Sequence, residues 1–159
     1  MQGDPAIIEI LNEVLTAELT AVNQYWVHYR MLDNWGLKRL AGHAREESID
    51  EMKDADRIIE RILFLDGVPN MQRLNPVRVG ETVPEQLAAD MAVEQAAVER
   101  YNRGIALCVE KGDNGTRHLF EEHLTSEEEH LDWIEAQLTL IETIGVERYL
   151  AQQIHGDDD

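Results

Sequence analysis

The sequence predicts an all-α protein in a single domain over residues 1–159: a four-helix bundle of two hairpins joined by one long crossover, with a short fifth helix. Three observations carry this prediction. Apolar residues recur at steps of three and four through four segments of roughly 30 residues, the period of a helix with one buried face. The two halves repeat a four-point pattern, Glu18, Tyr25, Glu51, Asp54 and then Glu94, Tyr101, Glu127, His130, at a constant offset of 76 residues. Between the halves, the stretch from Gly67 to Thr82 contains Pro69, Pro76 and Gly80 and has no helical period.

Asp4 before Pro5 reads as an N-cap with proline in the first turn, and the first helix runs from there to about Asn34. A second helix spans about Leu37 to Asp66, where Gly67 and Pro69 end it. Thr82 and Glu85 have capping-box spacing, so a third helix starts near Val83 and ends near Lys111. The turn-rich run Gly112, Asp113, Asn114, Gly115 precedes a fourth helix from about Thr116 to Thr143, stopped by Gly145. A fifth covers about Val146 to Ile154, ahead of the acidic end Asp157, Asp158, Asp159. The 16 residues from Gly67 to Thr82 reach ~50 Å when extended, enough to run the length of a ~45 Å helix. Two hairpins joined by one long crossover make the ferritin-like form of the four-helix bundle.

A chain of 159 residues buries a proper core without cross-links. Its single cysteine, Cys108, cannot form an internal bridge, is placed in the core, and points to a reducing compartment. No early apolar stretch resembles a signal segment, and no run reaches the ~18 apolar residues of a membrane helix. A soluble cytoplasmic protein is expected. The net charge of −18 argues against nucleic acid and anionic membranes as partners, since both require clustered Lys and Arg. Most of the 32 acids read as solvated helix faces.

Some acids, however, fall on the apolar stripes. Helix one steps through Leu11, Leu15, Glu18, Val22, Tyr25, Tyr29; helix two through Ala44, Glu47, Glu51, Asp54, Ile58; helix three through Leu87, Met91, Glu94, Val98, Tyr101; helix four through Phe120, His123, Glu127, His130, Ile134. In an antiparallel hairpin, residues equidistant from the turn are level. Glu18 and Glu51 centre on Asn34 and Trp35, Glu94 and Glu127 on Glu110 and Lys111, each pair about 25 Å from its turn. The stripes offer no Lys or Arg at that level. Burying uncompensated carboxylates is costly, so two divalent cations are expected there, iron or manganese with zinc as a non-redox competitor. One Glu on each of two helices, with a Glu followed by a ligand at i+3 on the other two, is a di-iron carboxylate pattern.

At this point the chain resembles the bacterioferritin family over nearly its whole length, through NQYW at Asn23 to Trp26, NWGLKRL from Asn34, EESIDEMK from Glu46, ERILFLDGVPN from Glu60 and EEEHLDWIE from Glu127. The resemblance implies iron storage in a 24-subunit cage built from dimers, with a di-iron ferroxidase centre in each subunit. It implies haem b between two-fold-related subunits, and a small ferredoxin as reductant. Carried over by position, it assigns Glu18, Glu51, Glu94, Glu127 and His130 as iron ligands, with Glu51 and Glu127 bridging, and Met52 as the haem ligand. Met52 is ~100° round the helix from Glu51, on a face with Ile49 and Ile59; Leu19 and Trp26 could complete the patch. By periodicity alone Met52 reads as an interface or core residue.

Asp54 departs from the family, which usually has a second ligating histidine there. Either Asp54 binds iron, its oxygen lying two bonds beyond Cβ as a ring Nδ1 does, or the site is impaired and the subunit serves for haem binding or cage building beside a competent second subunit type. The first reading is preferred because the other five ligand positions are intact. Five carboxylates around two ferrous ions leave a charge of −1 where four sum to zero, which favours the ferric state. Glu46 stands where the family often has a histidine for an inner-surface iron site, so the resemblance does not carry that site over. Glu47 and Asp50 read as supporting or access-path residues, or as a plain exposed face. Tyr25 is expected to hydrogen-bond a bridging glutamate or supply one electron, Tyr101 to pack, and His123 to be a hydrogen-bonded core histidine. A di-iron oxygenase or manganese catalase and a metal-free adaptor bundle are the rival readings. The fifth helix and the apolar face around Met52 favour the cage over the oxygenase.

Overall fold

Helical hydrogen bonding begins where capping chemistry allows it. In this computed structural model, which describes residues 1–156, α1 spans Pro5–Asn34 and α2 Lys38–Phe64, followed by α3 Val83–Lys111, α4 Asn114–Ile144 and α5 Val146–Ala151. The predicted acidic end at Asp157 to Asp159 lies outside the described residues. The Asp4 carboxylate accepts from Ala6 N–H at 2.8 Å, and the Thr82 hydroxyl accepts from Glu85 N–H at 3.3 Å, so both expected caps are present. Gly112, at φ 72°, ends α3 in the left-handed region that glycine adopts without strain.

Three boundaries differ from the sequence expectation by two residues or more. α2 stops at Phe64 rather than Asp66, because Asp66 itself turns to φ 60°. α5 ends at Ala151 rather than Ile154. α4 starts two residues early, at Asn114, because Asp113 is a strong cap: it accepts from Thr116 N–H at 3.0 Å and Thr116 Oγ1 at 2.6 Å and pairs with Arg61 at 2.9 Å. Gly115 fits inside that first turn because the Arg61 guanidinium lies where a Cβ would be, 2.6 Å away.

α1 packs on α2 and α3 on α4 as two hairpins, and α1 against α3 joins them. The core is divided. One cluster, around Ile7, Leu11, Leu15, Ile58, Ile62 and Phe120, fills the end near the α3–α4 turn. The other, around Leu32, Leu40, Leu87, Ile134 and Tyr149, fills the end that α5 closes. Each fully buried Leu or Ile contributes about 2 kcal/mol, and the polar stripe residues form a waist between the two clusters.

The crossover is fastened to α1 by a ladder of side chains. Asn12, Thr16, Thr20, Gln24 and His28 recur every fourth residue, so they share one face of the helix. Asn12 Oδ1 accepts from Asn70 N–H at 2.8 Å, Thr16 Oγ1 from Arg73 Nε at 3.0 Å, and Thr20 Oγ1 from Asn75 N–H at 2.9 Å. Gln24 Oε1 accepts from Arg78 N–H at 3.1 Å and His28 Nε2 from Gly80 N–H at 3.0 Å. With Nε2 accepting, His28 donates through Nδ1 to Asp90 Oδ1 at 3.0 Å on α3. A segment with no helix or strand of its own thus satisfies backbone donors on a preformed helix.

Candidate metal centre

The four helices bring the sequence-selected acids together in the waist. Glu18 comes from α1, Glu51 and Asp54 from α2, Glu94 from α3, and Glu127 and His130 from α4; all are buried except Asp54, whose side chain keeps a fifth of its exposure. Glu51, Glu94, Glu127 and His130 each place one ligand atom within 4.8 Å of the others. Glu18, Glu51, Asp54 and Glu127 do the same. The two four-donor groups share Glu51 and Glu127, the arrangement by which two carboxylates can bridge a pair of cations.

Electrostatics within the waist are severe. Burial, then the like charges of Glu18 and Glu127, pushes Glu51 well above the usual carboxylate range. Burial and the Glu18 charge do the same to Glu127, and burial raises Glu18. Glu94 goes the other way. Burial works to raise it, but hydrogen bonds from Glu127 and His130 outweigh that. His130, which burial alone would lower, is raised by the Glu94 carboxylate 2.9 Å from its Nδ1. Glu18 Oε2 and Glu94 Oε2 are buried with no hydrogen-bond partner. An unsatisfied buried oxygen costs ~1–3 kcal/mol, more when charged, and a divalent cation removes that cost. The donor set therefore fits two hard or borderline divalent ions.

Two tyrosines orient the outer glutamates. Tyr25 hydrogen-bonds Glu94, not one of the two shared glutamates that the sequence reading expected. Tyr101, expected only to pack, donates to Glu18 Oε1 at 2.5 Å and also lies 3.2 Å from His123 Nδ1. The two hydroxyls thus hold one oxygen each of the unshared glutamates, a symmetry already latent in the 76-residue repeat. His123 is the buried, hydrogen-bonded histidine anticipated, pushed down to about 4 chiefly by burial. Its Nε2 lies 3.5 Å from Asp54 Oδ1, and Asp54 is pushed up to about 7 by burial and then by the Glu18 charge.

A cavity of about 260 Å³ opens from the α1/α3 face onto Glu18, Glu51, Glu94 and Glu127, with Asn75, Pro76 and Arg78 of the crossover on its rim. Arg100 also lines it, its Nε buried without a partner, and its charge opposes, without overcoming, the burial that raises Glu18. The expectation of no cation at this level thus needs correction: Arg100 precedes the striped Tyr101 and reaches in from the edge of the face. Of the supporting acids, Glu47 is half-buried with Oε2 3.1 Å from His130 Nδ1, and burial pushes it up to about 7. Asp50 points to solvent beside Lys53. His43, which the sequence reading missed, stacks on Trp133 and lies four residues before Glu47 on α2, a spacing that signals a shared face. Met52 and Trp26 are exposed and Ile49 and Ile59 half-buried, whereas Leu19 belongs to the core. Cys108 is fully buried. No described helix is long and apolar enough to cross a membrane.

A family model described as a ferritin-like domain matches residues 8–144. The chain is 52% identical over 152 residues to a protein named bacterioferritin from Mycolicibacterium paratuberculosis, covering 96% of each chain. It is 50% identical, with the same coverage, to bacterioferritin BfrA of Mycobacterium tuberculosis. A bacterioferritin of Brucella melitensis is 49% identical over 149 residues, covering 94% of this chain and 92% of its own.

Proposed function

This chain belongs to the ferritin-like family and, within it, to the bacterioferritins; on that ground we propose that it stores iron. Ferrous ions are oxidised at the waist, and the ferric product is held in a cage of 24 copies built from dimers. The observation that supports oxidation most directly is the sharing of Glu51 and Glu127 between two four-donor groups.

Ferrous iron is the substrate. It reaches the waist through the α1/α3 cavity, where the carboxylates attract it. Glu18, Glu51 and Glu127, held toward their protonated forms by burial, release protons as divalent ions take their place. Tyr101 and Tyr25 keep the unshared glutamates from rotating, which leaves Glu18 Oε2 and Glu94 Oε2 free to bind. Two ferrous ions supply two electrons, enough with two protons to convert dioxygen to hydrogen peroxide, or hydrogen peroxide to two water molecules. The protein's contribution is a fixed spacing between the ions and an open position beside them.

Asp54 acts as a ligand in this reading, since its oxygen falls within the second donor group. That favours a competent subunit over an impaired one that depends on a second subunit type. The fifth carboxylate leaves the ferrous pair with a charge of −1, which stabilises ferric iron and slows its passage into the cage. Met52, exposed on α2, would hold haem b together with its two-fold copy, and haem bound there would supply a one-electron relay for iron release, with a small ferredoxin as the reductant. The setting is the cytoplasm.

The test is anaerobic ferrous titration of the metal-free assembly followed by air. Two irons per subunit in the fast phase are expected for the parent and fewer for Asp54→Ala. A parent without a fast phase rejects the oxidation reading, and an unaltered count in Asp54→Ala rejects Asp54 as a ligand.

A further inference from the structure

Although the chain carries a net charge of −18, four of its 14 cationic side chains, Arg73, Arg78, Arg100 and Arg103, gather along the α1/α3 seam at or beside the cavity. Acids do not account for all of them. Arg103 forks onto Glu13 at 2.8 and 3.0 Å, and Glu13 is held low chiefly by that hydrogen bond and further by the charges of Arg100 and Arg73. Arg73 donates through Nε to Thr16 Oγ1 at 3.0 Å. Among the described residues, Arg78 and Arg100 form no ion pair, and Arg100 Nε is buried with no hydrogen-bond partner. A buried donor on a charged group is costly to leave unmade, and nothing in the fold satisfies this one.

We propose that the α1/α3 cavity holds a free tetrahedral oxyanion of the phosphate class, bound by Arg100 of α3 and by Arg78 and Asn75 of the crossover. All three residues line the cavity. The Nε edge of a guanidinium presents two parallel N–H groups that match two oxygens of phosphate. Donors arriving from α3 and from the crossover suit an ion whose oxygens point in four directions better than a planar carboxylate. A volume of about 260 Å³ has room for that ion and several waters.

Placement indicates a use. The same cavity opens onto Glu18, Glu51, Glu94 and Glu127. Carboxylates without cations repel an anion there, whereas two divalent ions among them attract it. Oxyanion and cations therefore raise each other's affinity by one shared factor. A bound oxyanion also offsets the guanidinium charge that a ferrous ion meets on its way in. As an oxyanion site the proposal stands on Arg78, Arg100 and Asn75 alone; its coupling to the cations rests on the oxidation reading.

Crystals loaded with Co²⁺, washed, soaked in millimolar arsenate as an isostere of phosphate, and measured at the arsenic and cobalt edges decide the matter. The expected arsenic peak lies in the cavity with oxygens ~2.7–3.2 Å from Arg100 Nε and from Arg78, and excess phosphate displaces it. Calorimetry should find phosphate bound about tenfold more tightly by the washed Co²⁺-loaded assembly than by the metal-free one. Arg100→Leu and Arg78→Leu, both outside the two hydrophobic clusters, should each remove the peak and keep the cobalt pair. No arsenic peak, or one bonded to cobalt that survives both substitutions, overturns the oxyanion site and leaves the oxidation reading intact. Equal phosphate affinity with and without Co²⁺ overturns the coupling, and AMP competing as well as phosphate overturns the assignment to a free ion. A filled arginine site beside an empty cobalt pair keeps the oxyanion site and rejects the oxidation reading.

Discussion

Replacing Asp54 with asparagine should stabilise the metal-free protein at pH 8 and change little at pH 4. The Asp54 carboxyl is held at about 7 instead of 3.8, by burial and then by the Glu18 charge. The folded state therefore resists ionisation that the unfolded chain allows, and folding loses free energy as pH rises from about 4 to about 7 and is flat above. The gap between those values corresponds to about 4 kcal/mol at ~1.4 kcal/mol per pH unit. Because a fifth of the side chain remains exposed, solvent screening reduces the expected effect to about 2 kcal/mol. Asparagine keeps the shape and cannot ionise, so it removes this penalty. In excess chelator at fixed protein concentration, thermal midpoints of parent and variant should nearly coincide at pH 4. They should separate by roughly 4–8 °C at pH 8, the variant higher. Saturating Co²⁺ should reverse the order, because only the parent then gains a fifth carboxylate ligand. Coincident midpoints at both pH values, or a variant still ahead in Co²⁺, would refute the placement of Asp54 in the charged waist.

Tyr101→Phe removes the donor to Glu18 Oε1 and should weaken Co²⁺ binding about tenfold, for ~1.4 kcal/mol of lost orientation; an unchanged affinity would reduce Tyr101 to packing. Thr20→Val removes the acceptor of Asn75 N–H and should cost ~1–2 kcal/mol in chemical denaturation, with faster protease cleavage inside residues 67–82. Gly104→Ala would put a Cβ 2.7 Å from Phe120 Cε2, so calorimetry should show a loss of ~1–3 kcal/mol through overpacking.

Much of this site was legible from spacing. A helix has one period, so Glu18, Glu51, Glu94 and Glu127 could be assigned to one level before any contact was known, and their convergence follows from hairpin symmetry. Roles that depend on reach across helices were not legible. Whether Tyr101 packs or donates depends on its height relative to Glu18 on another helix, and Arg100 enters the cavity from a position that periodicity assigns to the edge. His43 was overlooked because a single histidine near a helix start has no repeat partner in the other half. The polar residues spaced by four on α1 were visible, but the order of their crossover partners is not periodic. Asp113 advanced the start of α4 because its cap includes Arg61 of another helix.

The ladder along α1 also dictates an order of assembly. Its five side chains align only when that segment is already helical, so the crossover has nothing to grip until α1 has formed. Backbone protons of Asn70, Asn75, Arg78 and Gly80 are donated to α1 side chains. Their deuterium uptake is thus a built-in gauge of whether the helix bearing Glu18 is intact, readable at four points along its length.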